Sequence, residues 1–408
     1  LIFFLLGLLF DNQRQSAINQ RLSALWRQPL VIAVTVFVAI FLIASFFAFD
    51  PAMAFWSNFE RGEGGLQLLH FWLFFILLIT LFREKKDWLM IFWCAIVGGV
   101  LSGIYGVFAG LDFSNFVGAR FSDEFRFQGS IGNPAYVAAY AIFLLFYILY
   151  LLSSEYRKRL ISVGGIILSI FGIGFLIMFF SAATRGAFLG LIAAILAFLF
   201  YIMYSRKKWR KWLILACLFI VIIVSSLVYF QNSSFVKSIP GSRIFDISLS
   251  AETFQHRAIM WGIAVEGWKE RPLLGWGPEN YLNIFDRHFD PKYFQPEKGF
   301  GAWFDRAHSI YFDYLAETGI LGLLSFLSIF GIFYWQFIKK TQNLSVSSAL
   351  LFAVPVAYLV QGLVLFDVYT IYINLYLFLA FSVFWFHNSS GESARMLSRK
   401  SGSQSILN

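Results

Sequence analysis

Charged residues are scarce in this chain, and their scarcity excludes most classes of soluble protein. Only 13% of the 408 residues are Asp, Glu, Lys or Arg, whereas 59% are hydrophobic. Many apolar runs approach the roughly 20 residues that an α-helix needs to cross a bilayer. A β-barrel would need alternating apolar and polar residues, and runs such as 31–49 show no such alternation. We therefore predict an all-α polytopic membrane protein.

Cysteines and metal-binding patterns are also scarce. The two cysteines, Cys94 and Cys217, lie within apolar runs, so no disulfide framework is expected. His256 and His288 lack the spacing or the companions of a metal site, and no clustered Asp pattern is present, so we expect no metal and no cofactor. The chain begins without Met, and residues 1–10 are too short to span a bilayer, so we interpret them as the end of a truncated helix.

Ten complete apolar segments are predicted to span the membrane. They are 30–49, 67–82, 89–109, 134–152, 161–181, 186–204, 213–230, 310–338, 346–366 and 371–387. The predicted organisation is transmembrane helices over 1–230, a loop domain over 231–309, three C-terminal transmembrane helices over 310–387 and a disordered cytoplasmic tail over 388–408.

Basic residues predict how these spans are oriented. Lys and Arg gather in alternate short connections, such as 83–86, 157–159 and 206–211, while the intervening short connections hold few. By the positive-inside rule the basic set is cytoplasmic, so the long loop is expected to face outward from the cytoplasmic membrane. Topology explains the basic flank at 206–211, and no nucleic-acid partner is expected.

Several charges on the predicted outer side are not explained by topology. Arg185 lies in a tight turn between two apolar helices, where an arginine faces either the protein interior or the lipid headgroups. Its guanidinium group matches phosphate oxygens in a bidentate manner. In the first outer loop, Glu60, Arg61 and Glu63 either form an acceptor site or pair locally. Arg126 either reaches an anionic ligand or is solvated.

The long loop contains one predicted amphipathic helix with Ser250 as its candidate N-cap. Apolar residues recur on one face of this helix before Pro272: Phe254, Ala258, Trp261, Val265 and Trp268. We expect the helix to lie on the membrane surface or to pack over the bundle. The following Gly275-Trp276-Gly277-Pro278 is interpreted as a turn, because no strand and no third glycine accompany it.

Two motifs indicate a family. One is His308-Ser309, followed after nine residues by Gly319-Ile320-Leu321-Gly322, and the other is Arg185 with Leu189. With the large late loop between them, they make the chain similar to the O-antigen ligase / O-antigen polymerase family of membrane glycosyltransferases. The resemblance implies about 11–12 transmembrane helices, the N-terminal one truncated here. It also implies one large extracytoplasmic loop that contains helices, a GT-C-like arrangement.

The resemblance also implies an activity and a set of site residues. A glycan would be transferred from a polyprenyl diphosphate to an acceptor hydroxyl outside the cytoplasmic membrane, as in surface polysaccharide or lipopolysaccharide biosynthesis. His308 is the expected catalytic base. The residues expected to bind the diphosphate are Arg185, Arg257 and Arg306. The residues considered for acceptor binding or for orienting His308 are Asp367, Arg61, Glu63 and Arg126, with a solvated turn as the alternative for Asp367.

Several alternatives remain within and outside this family. An O-antigen ligase, a polysaccharide polymerase and a protein O-oligosaccharyltransferase share these residues. Fixed arginines can replace a divalent metal, so metal-independent transfer is expected, with inversion expected by family analogy alone. A lipid-linked glycan flippase would instead have charges along several span interiors, whereas these charges cluster at one side. The expected partners are a polyprenyl-diphosphate-linked glycan, an acceptor that is a glycolipid, glycan or protein, and the bilayer.

Overall fold

The protein is all-helical in the part of the chain that the structure describes. The computed structural model describes residues 23–59, 61–108, 126–239, 241–246, 252–294, 303–341 and 344–404. The predicted stub over 1–10, Glu60 and Ser250 lie outside these ranges. The α-helices are α1 (Pro29–Phe46), α2 (Pro51–Trp56), α3 (Gly65–Leu81), α4 (Lys85–Phe108), α5 (Pro134–Ser154), α6 (Val163–Ser181), α7 (Arg185–Ser205), α8 (Arg210–Tyr229), α9 (Ser234–Lys237), α10 (Glu252–Glu270), α11 (Tyr281–Arg287), α12 (Ile310–Lys340), α13 (Val346–Gln361) and α14 (Tyr369–Gln404).

Eight helices of the described chain are long and apolar enough to cross a membrane, and two shorter apolar helices accompany them. The eight are α1, α4, α5, α6, α7, α8, α12 and α14, and the two shorter ones are α3 and α13. Each of these ten helices corresponds to one of the ten predicted spans. The prediction of an all-α polytopic membrane protein is therefore confirmed.

Local sequence sets where several of these helices begin. Proline occupies the first turn of α1, α2 and α5, where its missing N–H costs no intrahelical hydrogen bond. The Asn133 side chain accepts a hydrogen bond from the backbone N–H of Ala135 at 2.8 Å, and Ser162 accepts one from that of Gly165 at 3.4 Å. These caps satisfy N–H groups that a helix start leaves unpaired.

The connections between the spanning helices lie at the two ends of the bundle. On the predicted cytoplasmic side, Lys85 pairs with Glu155, and the hydroxyls of Ser153 and Ser347 lie 2.9 Å apart. The opposite end carries the long loop, and we call it the loop side. Its facing the outside of the membrane stays a prediction.

The long loop forms a small core of its own against the start of α12. Met260, Ile263 and Ala264 of α10 are buried with Trp276 and with residues of α11. This corrects the predicted apolar face of α10, because Ala258 is exposed and the buried stripe is displaced by about one residue. The buried face of α10 is the one that carries small residues, because small residues allow α11 to approach closely. Trp261 lies beside this face and packs on Phe312, with ring centroids 5.1 Å apart.

The span predicted over 310–338 is broken near its start. Gly319 has φ of 66° and interrupts the helical geometry of α12. The turn after α10 docks at this break: Trp276 N–H donates to the Ala316 carbonyl at 3.0 Å, and Ile320 N–H donates to the Pro272 carbonyl at 2.9 Å. Backbone groups freed by a break in a membrane helix need such partners. The two glycine-containing motifs of the sequence therefore bind each other.

The last helix is longer than predicted. α14 continues through Gln404, so the structure describes helical backbone over most of the segment predicted to be a disordered tail, 388–408. No proline interrupts residues 388–404, so every residue there retains the N–H that a continuing helix requires.

Candidate active site

The first turn of α12 positions His308 on the loop side. The N–H of Ile310 donates to the carbonyls of Gly362 and Leu365 at 3.0 and 3.1 Å, which fixes the helix start against the turn after α13. His308 then packs edge-on against Phe366 of that turn, with ring centroids 5.1 Å apart, and against Phe304 at 5.0 Å. The imidazole is thereby held by two aromatic rings.

The hydrogen bonding of His308 defines which ring nitrogen is available. Its Nδ1 lies 3.1 Å from the carbonyl oxygen of Arg306, which only accepts, so Nδ1 carries the proton and Nε2 holds the lone pair. Burial, with a contribution from the charge of Arg257, lowers the pKa of His308 to about 4. The backbone φ of 59° is unusual for a residue other than glycine and is typical of functional positions. At neutral pH the ring is neutral and able to accept a proton at Nε2.

Four arginines form a second group, which we call the arginine cluster: Arg126, Arg185, Arg243 and Arg257. Arg126 donates from Nε to the Ala182 carbonyl at 3.0 Å and from Nη2 to Thr184 Oγ1 at 2.8 Å, in the turn that precedes α7. Arg185 begins α7 and donates to the carbonyl of Arg243 at 3.2 Å and to the carboxylate of Asp246. The turn before α7 and the start of the long loop are thus joined by arginine side chains.

Among the residues that the structure describes, positive charge exceeds negative charge in the arginine cluster. Asp246 is the carboxylate paired with it among the described residues. Burial and the charges of the other three arginines lower the pKa of Arg126 to about 10. Burial and the charge of Arg185 likewise lower the pKa of Arg257, which forms no hydrogen bond or ion pair within the described chain. A dianionic group would relieve this repulsion and fill the open donors.

Arg306 lies in a different environment, which we call the acidic cluster: Arg306, Glu63, Glu279, Glu317, Asp313 and Asp367. The Arg306 guanidinium pairs with Glu317 at 2.8 Å, with Glu63 at 3.2 Å and with Glu279. All six side chains are buried. Burial opposes the charge of Arg306, but the carboxylates outweigh burial and raise its pKa above the usual value.

Two predicted roles do not fit the acidic cluster. The sequence predicts that Arg306 binds diphosphate, but its donors are taken by three carboxylates, which would also repel an anion. For Asp367 the sequence predicts a group that orients His308 or binds the acceptor, or else a solvated turn. Asp367 is buried instead and accepts a 2.5 Å hydrogen bond from the Tyr358 hydroxyl. The Nδ1 of His308 bonds to the Arg306 carbonyl rather than to Asp367. Burial raises the pKa of Asp367 to about 7.

Arg61 and Glu63 border a polar cavity of about 450 Å³ on the loop side. Arg61 binds both carboxylate oxygens of Asp305, at 2.6 and 2.9 Å, and its guanidinium covers the ring of Phe366. Among the described residues, Arg61 thus pairs with the long loop, while Glu60, its predicted local partner, lies outside them. Other polar residues that line the cavity are Ser102, Ser130, Tyr136, Tyr140, Tyr369, Thr370 and Asn374.

The cavity and the His308 ring are close neighbours. Phe366 contacts His308, and it also contacts the Arg61 guanidinium and the Tyr136 ring at the cavity. Glu63 lines this cavity and also a smaller one of about 20 Å³, which is room for roughly one water molecule. Burial, opposed by Arg306, raises the pKa of Glu63 to about 7.

The structure brings together three of the predicted catalytic and diphosphate-binding residues. The charge of Arg257 lowers the pKa of His308, and the charge of Arg185 lowers the pKa of Arg257. Arg257 is therefore close enough to interact electrostatically with both residues. Arg126, a predicted candidate for acceptor binding, lies with the arginine cluster instead. Among the residues that the structure describes, no group of His, Cys, Asp or Glu is arranged to hold a metal ion.

Sequence reasoning missed four residues of these clusters. Arg243 belongs to the arginine cluster, and Glu279, Asp313 and Glu317 belong to the acidic cluster. For Asp313 and Glu317 a signal existed, because two acids four residues apart in an apolar segment lie on one helix face and are costly in lipid. Arg243 and Glu279 had no comparable signal, since their partners are distant in sequence.

One comparison with known proteins finds a family match for this chain. A family model described as O-antigen ligase matches residues 170–327, a segment that runs from within α6 to within α12. It includes Arg185, Arg257, Arg306 and His308, and the whole long loop. The predicted resemblance to this family of ligases and polymerases is thereby confirmed. A comparison with curated proteins finds no match.

Proposed function

We propose that this chain, which matches the O-antigen ligase family over residues 170–327, is a glycosyltransferase of the cytoplasmic membrane. It transfers a glycan from a polyprenyl diphosphate to an acceptor hydroxyl on the outer side of that membrane. The observation that carries the proposal is the arginine cluster, whose positive charge exceeds the negative charge of its partners among the described residues, next to a neutral and half-buried His308.

The arginine cluster binds the diphosphate of the donor. Arg126, Arg185 and Arg257 come from three segments, and their charges act on one another, which supports a common anion site. As the bond between the anomeric carbon and the diphosphate oxygen breaks, negative charge grows on the leaving group. Fixed cations stabilise that charge more than they stabilise the bound donor, and the loss of one such donor group typically costs about 10²–10³-fold in rate.

His308 accepts the proton of the acceptor hydroxyl. The hydroxyl oxygen attacks the anomeric carbon, its proton moves to Nε2, and the electron pair of the broken bond leaves with the diphosphate. A single displacement of this kind inverts the anomeric configuration. The low pKa keeps Nε2 unprotonated before reaction, and the carbonyl of Arg306 holds Nδ1–H in place as the imidazolium forms.

The polar cavity beside Phe366 binds the acceptor. Its volume of about 450 Å³ lies in the usual range for small-molecule sites. Hydroxyl, amide and guanidinium groups match the hydroxyls of a sugar, and the tyrosine rings provide flat surfaces for the sugar ring. Arg61 and Glu63 are the charged residues of this site, and the pairing of Arg61 with Asp305 connects it to the loop that carries His308. Ligase, polymerase and protein glycosyltransferase activities all use such a site.

Transfer by the purified protein tests the proposal. The donor is a glycan on a polyprenyl diphosphate, the acceptor is presented in the same detergent or bilayer, and His308→Ala and Arg185→Ala are compared with the wild type. We expect His308→Ala to lower the rate by about 10²–10⁴-fold. The matched control is His288→Ala, another loop histidine, which pairs with Glu270 and for which we expect wild-type activity.

The same assay tests the mechanism further. Because arginines neutralise the leaving group, we expect the wild-type rate to persist in excess EDTA. Wild-type transfer by both His308→Ala and Arg185→Ala would contradict the assignment of the site, and loss of transfer with EDTA would contradict the metal-independent mechanism. Complete absence of transfer from any polyprenyl-diphosphate glycan would contradict the function itself.

A further inference from the structure

A single peptide group lies between the imidazole of His308 and a buried carboxylate. The carbonyl oxygen of this peptide belongs to Arg306 and lies 3.1 Å from the Nδ1 of His308. The N–H of the same peptide belongs to Ala307 and donates to Asp313 Oδ1 at 2.6 Å. Ala307 and Asp313 are both buried, so bulk water does not compete for this contact. Carboxylate, peptide and imidazole therefore form one continuous chain of hydrogen bonds.

Asp313 also holds the backbone on both sides of His308. Its carboxylate binds Ala307, the residue before the histidine. Its own N–H donates to the carbonyl of Ser309, the residue after the histidine, at 2.8 Å. Between these two contacts His308 has a φ of 59°, a left-handed conformation that costs free energy in a residue other than glycine. Both contacts therefore favour the conformation in which the imidazole meets the Arg306 carbonyl.

We infer that Asp313 positions His308 and strengthens it as a base through this peptide group. The inference rests on the proposed function and adds a residue that acts through the histidine rather than on the substrate. A carboxylate that accepts from the peptide N–H increases the negative partial charge of the peptide oxygen, because hydrogen bonds in a chain polarise one another. That oxygen then holds the Nδ1–H of His308 more strongly as a proton arrives at Nε2 and the ring becomes positive.

The second oxygen of Asp313 distinguishes this residue from a simple helix cap. Asp313 Oδ2 is buried and has no hydrogen-bond partner among the described residues. An asparagine would bind the same N–H through its side-chain oxygen without burying a charge, which is costly. Arg306 does not require this charge, because it is already paired with three other carboxylates. The negative charge of Asp313 is therefore best explained by its effect on the peptide and on the imidazole beyond it.

The test compares Asp313→Asn and Asp313→Ala with the wild type in the transfer assay. Asparagine keeps an oxygen for the Ala307 N–H but removes the charge, whereas alanine removes both. The matched control is Glu317→Gln, which removes another buried charge of the acidic cluster from the same helix, α12. The Glu317 carboxylate pairs with the Arg306 side chain rather than with the peptide. The double variant Asp313→Asn with His308→Ala shows whether Asp313 acts through the histidine.

We expect kcat to fall about tenfold in Asp313→Asn and about 10²-fold in Asp313→Ala, the range of a hydrogen bond to a charged group, with KM for the donor unchanged. Glu317→Gln should keep the wild-type kcat, and Asp313→Asn should cause no further loss once His308 is replaced. Wild-type kcat in Asp313→Asn would overturn the inference and leave Asp313 as a helix cap. Equal losses in Asp313→Asn and Glu317→Gln, or the same loss in the His308→Ala background, would overturn it as well.

A spectroscopic measurement separates this inference from the proposed function. In protein that contains isotope-labelled histidine, the Nδ1–H resonance of His308 is assigned by its loss in His308→Ala, and its position reports the strength of the bond to the Arg306 carbonyl. We expect this resonance to move upfield in Asp313→Asn and to stay in place in Glu317→Gln. An unchanged resonance in Asp313→Asn would overturn the inference whether or not transfer is observed. The expected shift without any transfer by the wild type would contradict the proposed function and leave the contact between Asp313 and His308 established.

Discussion

The arginine cluster and the acidic cluster use the same residue type in opposite ways. Arg185 and Arg257 lie with two further arginines and one paired carboxylate, and they remain partly exposed. Arg306 is buried and pairs with three glutamates, although it lies only two residues from His308. The number of carboxylates within reach therefore decides whether an arginine on the loop side can bind an anionic ligand or holds the protein together.

The acidic cluster gives Arg306 a structural position between three segments of the chain. It joins the first loop through Glu63, the turn after α10 through Glu279 and the start of α12 through Glu317. A buried ion pair adds little stability compared with an apolar core, but the loss of one partner leaves uncompensated buried charge. The three segments that frame His308 thus depend on a single guanidinium group.

Replacing Arg306 is expected to have the largest effect on stability. We expect Arg306→Met to destabilise the protein by about 3–5 kcal/mol, because three buried carboxylates lose their partner. Thermal unfolding in detergent, followed by circular dichroism, measures the loss. The matched control is Arg61→Met, whose partner Asp305 is partly exposed and whose loss is expected to cost about 1 kcal/mol. Equal destabilisation by the two variants would contradict the structural role of Arg306.

Replacing Arg257 is expected to lower the rate of transfer and to leave the stability nearly unchanged. We expect Arg257→Gln to lower kcat/KM for transfer by about 10²–10³-fold, since a donor to the leaving group is lost. Stability should stay near that of the wild type, because Arg257 forms no ion pair in the described chain and removing its charge relieves repulsion with Arg185. Arg287→Gln serves as the control, since Arg287 is an exposed loop arginine outside the cluster. Normal transfer by Arg257→Gln would remove Arg257 from the diphosphate site.

The acidic cluster is expected to make the stability of the protein depend on pH. Burial raises the pKa of Glu63 to about 7 from the usual 4.5, so the folded protein keeps a proton that the unfolded chain releases between these values. The contribution of Glu63 to the free energy of unfolding is therefore complete below pH 4.5. It decreases as the pH rises toward 7, by roughly 1.4 kcal/mol per pH unit. We expect the melting temperature to fall between about pH 4.5 and 7 and Glu63→Gln to reduce this slope. An unchanged slope in the variant would contradict the raised pKa of Glu63.

Removing Asp246, the carboxylate that pairs with the arginine cluster among the described residues, gives the smallest expected effect. Asp246→Asn leaves Arg185 more donors for a ligand and raises the positive charge of the site. We expect KM for the donor to fall by about threefold, in line with the modest energies of partly exposed ion pairs. Steady-state kinetics at fixed ionic strength measure this change. A large rise in KM would show that Asp246 mainly positions Arg185.

The periodicity and the charge pattern of the sequence were sufficient to predict the helical bundle and part of the candidate site. The ten apolar helices could be predicted because hydrophobic runs and alternating basic connections are local signals. The break at Gly319 could not, because it depends on the docking of Pro272 and Trp276 from a different segment. Arg185 and His308 were identified through motifs of a known family. The different environments of Arg257 and Arg306 could not be predicted, because they depend on which carboxylates the fold brings near each arginine.

The most direct measurement is the affinity of the purified protein for a polyprenyl diphosphate that carries no glycan, determined by titration calorimetry in detergent. If the arginine cluster binds the diphosphate, the wild type will bind it more tightly than the corresponding monophosphate. The double variant Arg185→Gln with Arg257→Gln will then lose at least about 10²-fold in affinity for the diphosphate. Equal affinity of wild type and double variant, or no preference for the diphosphate, would contradict the arginine cluster as the donor site.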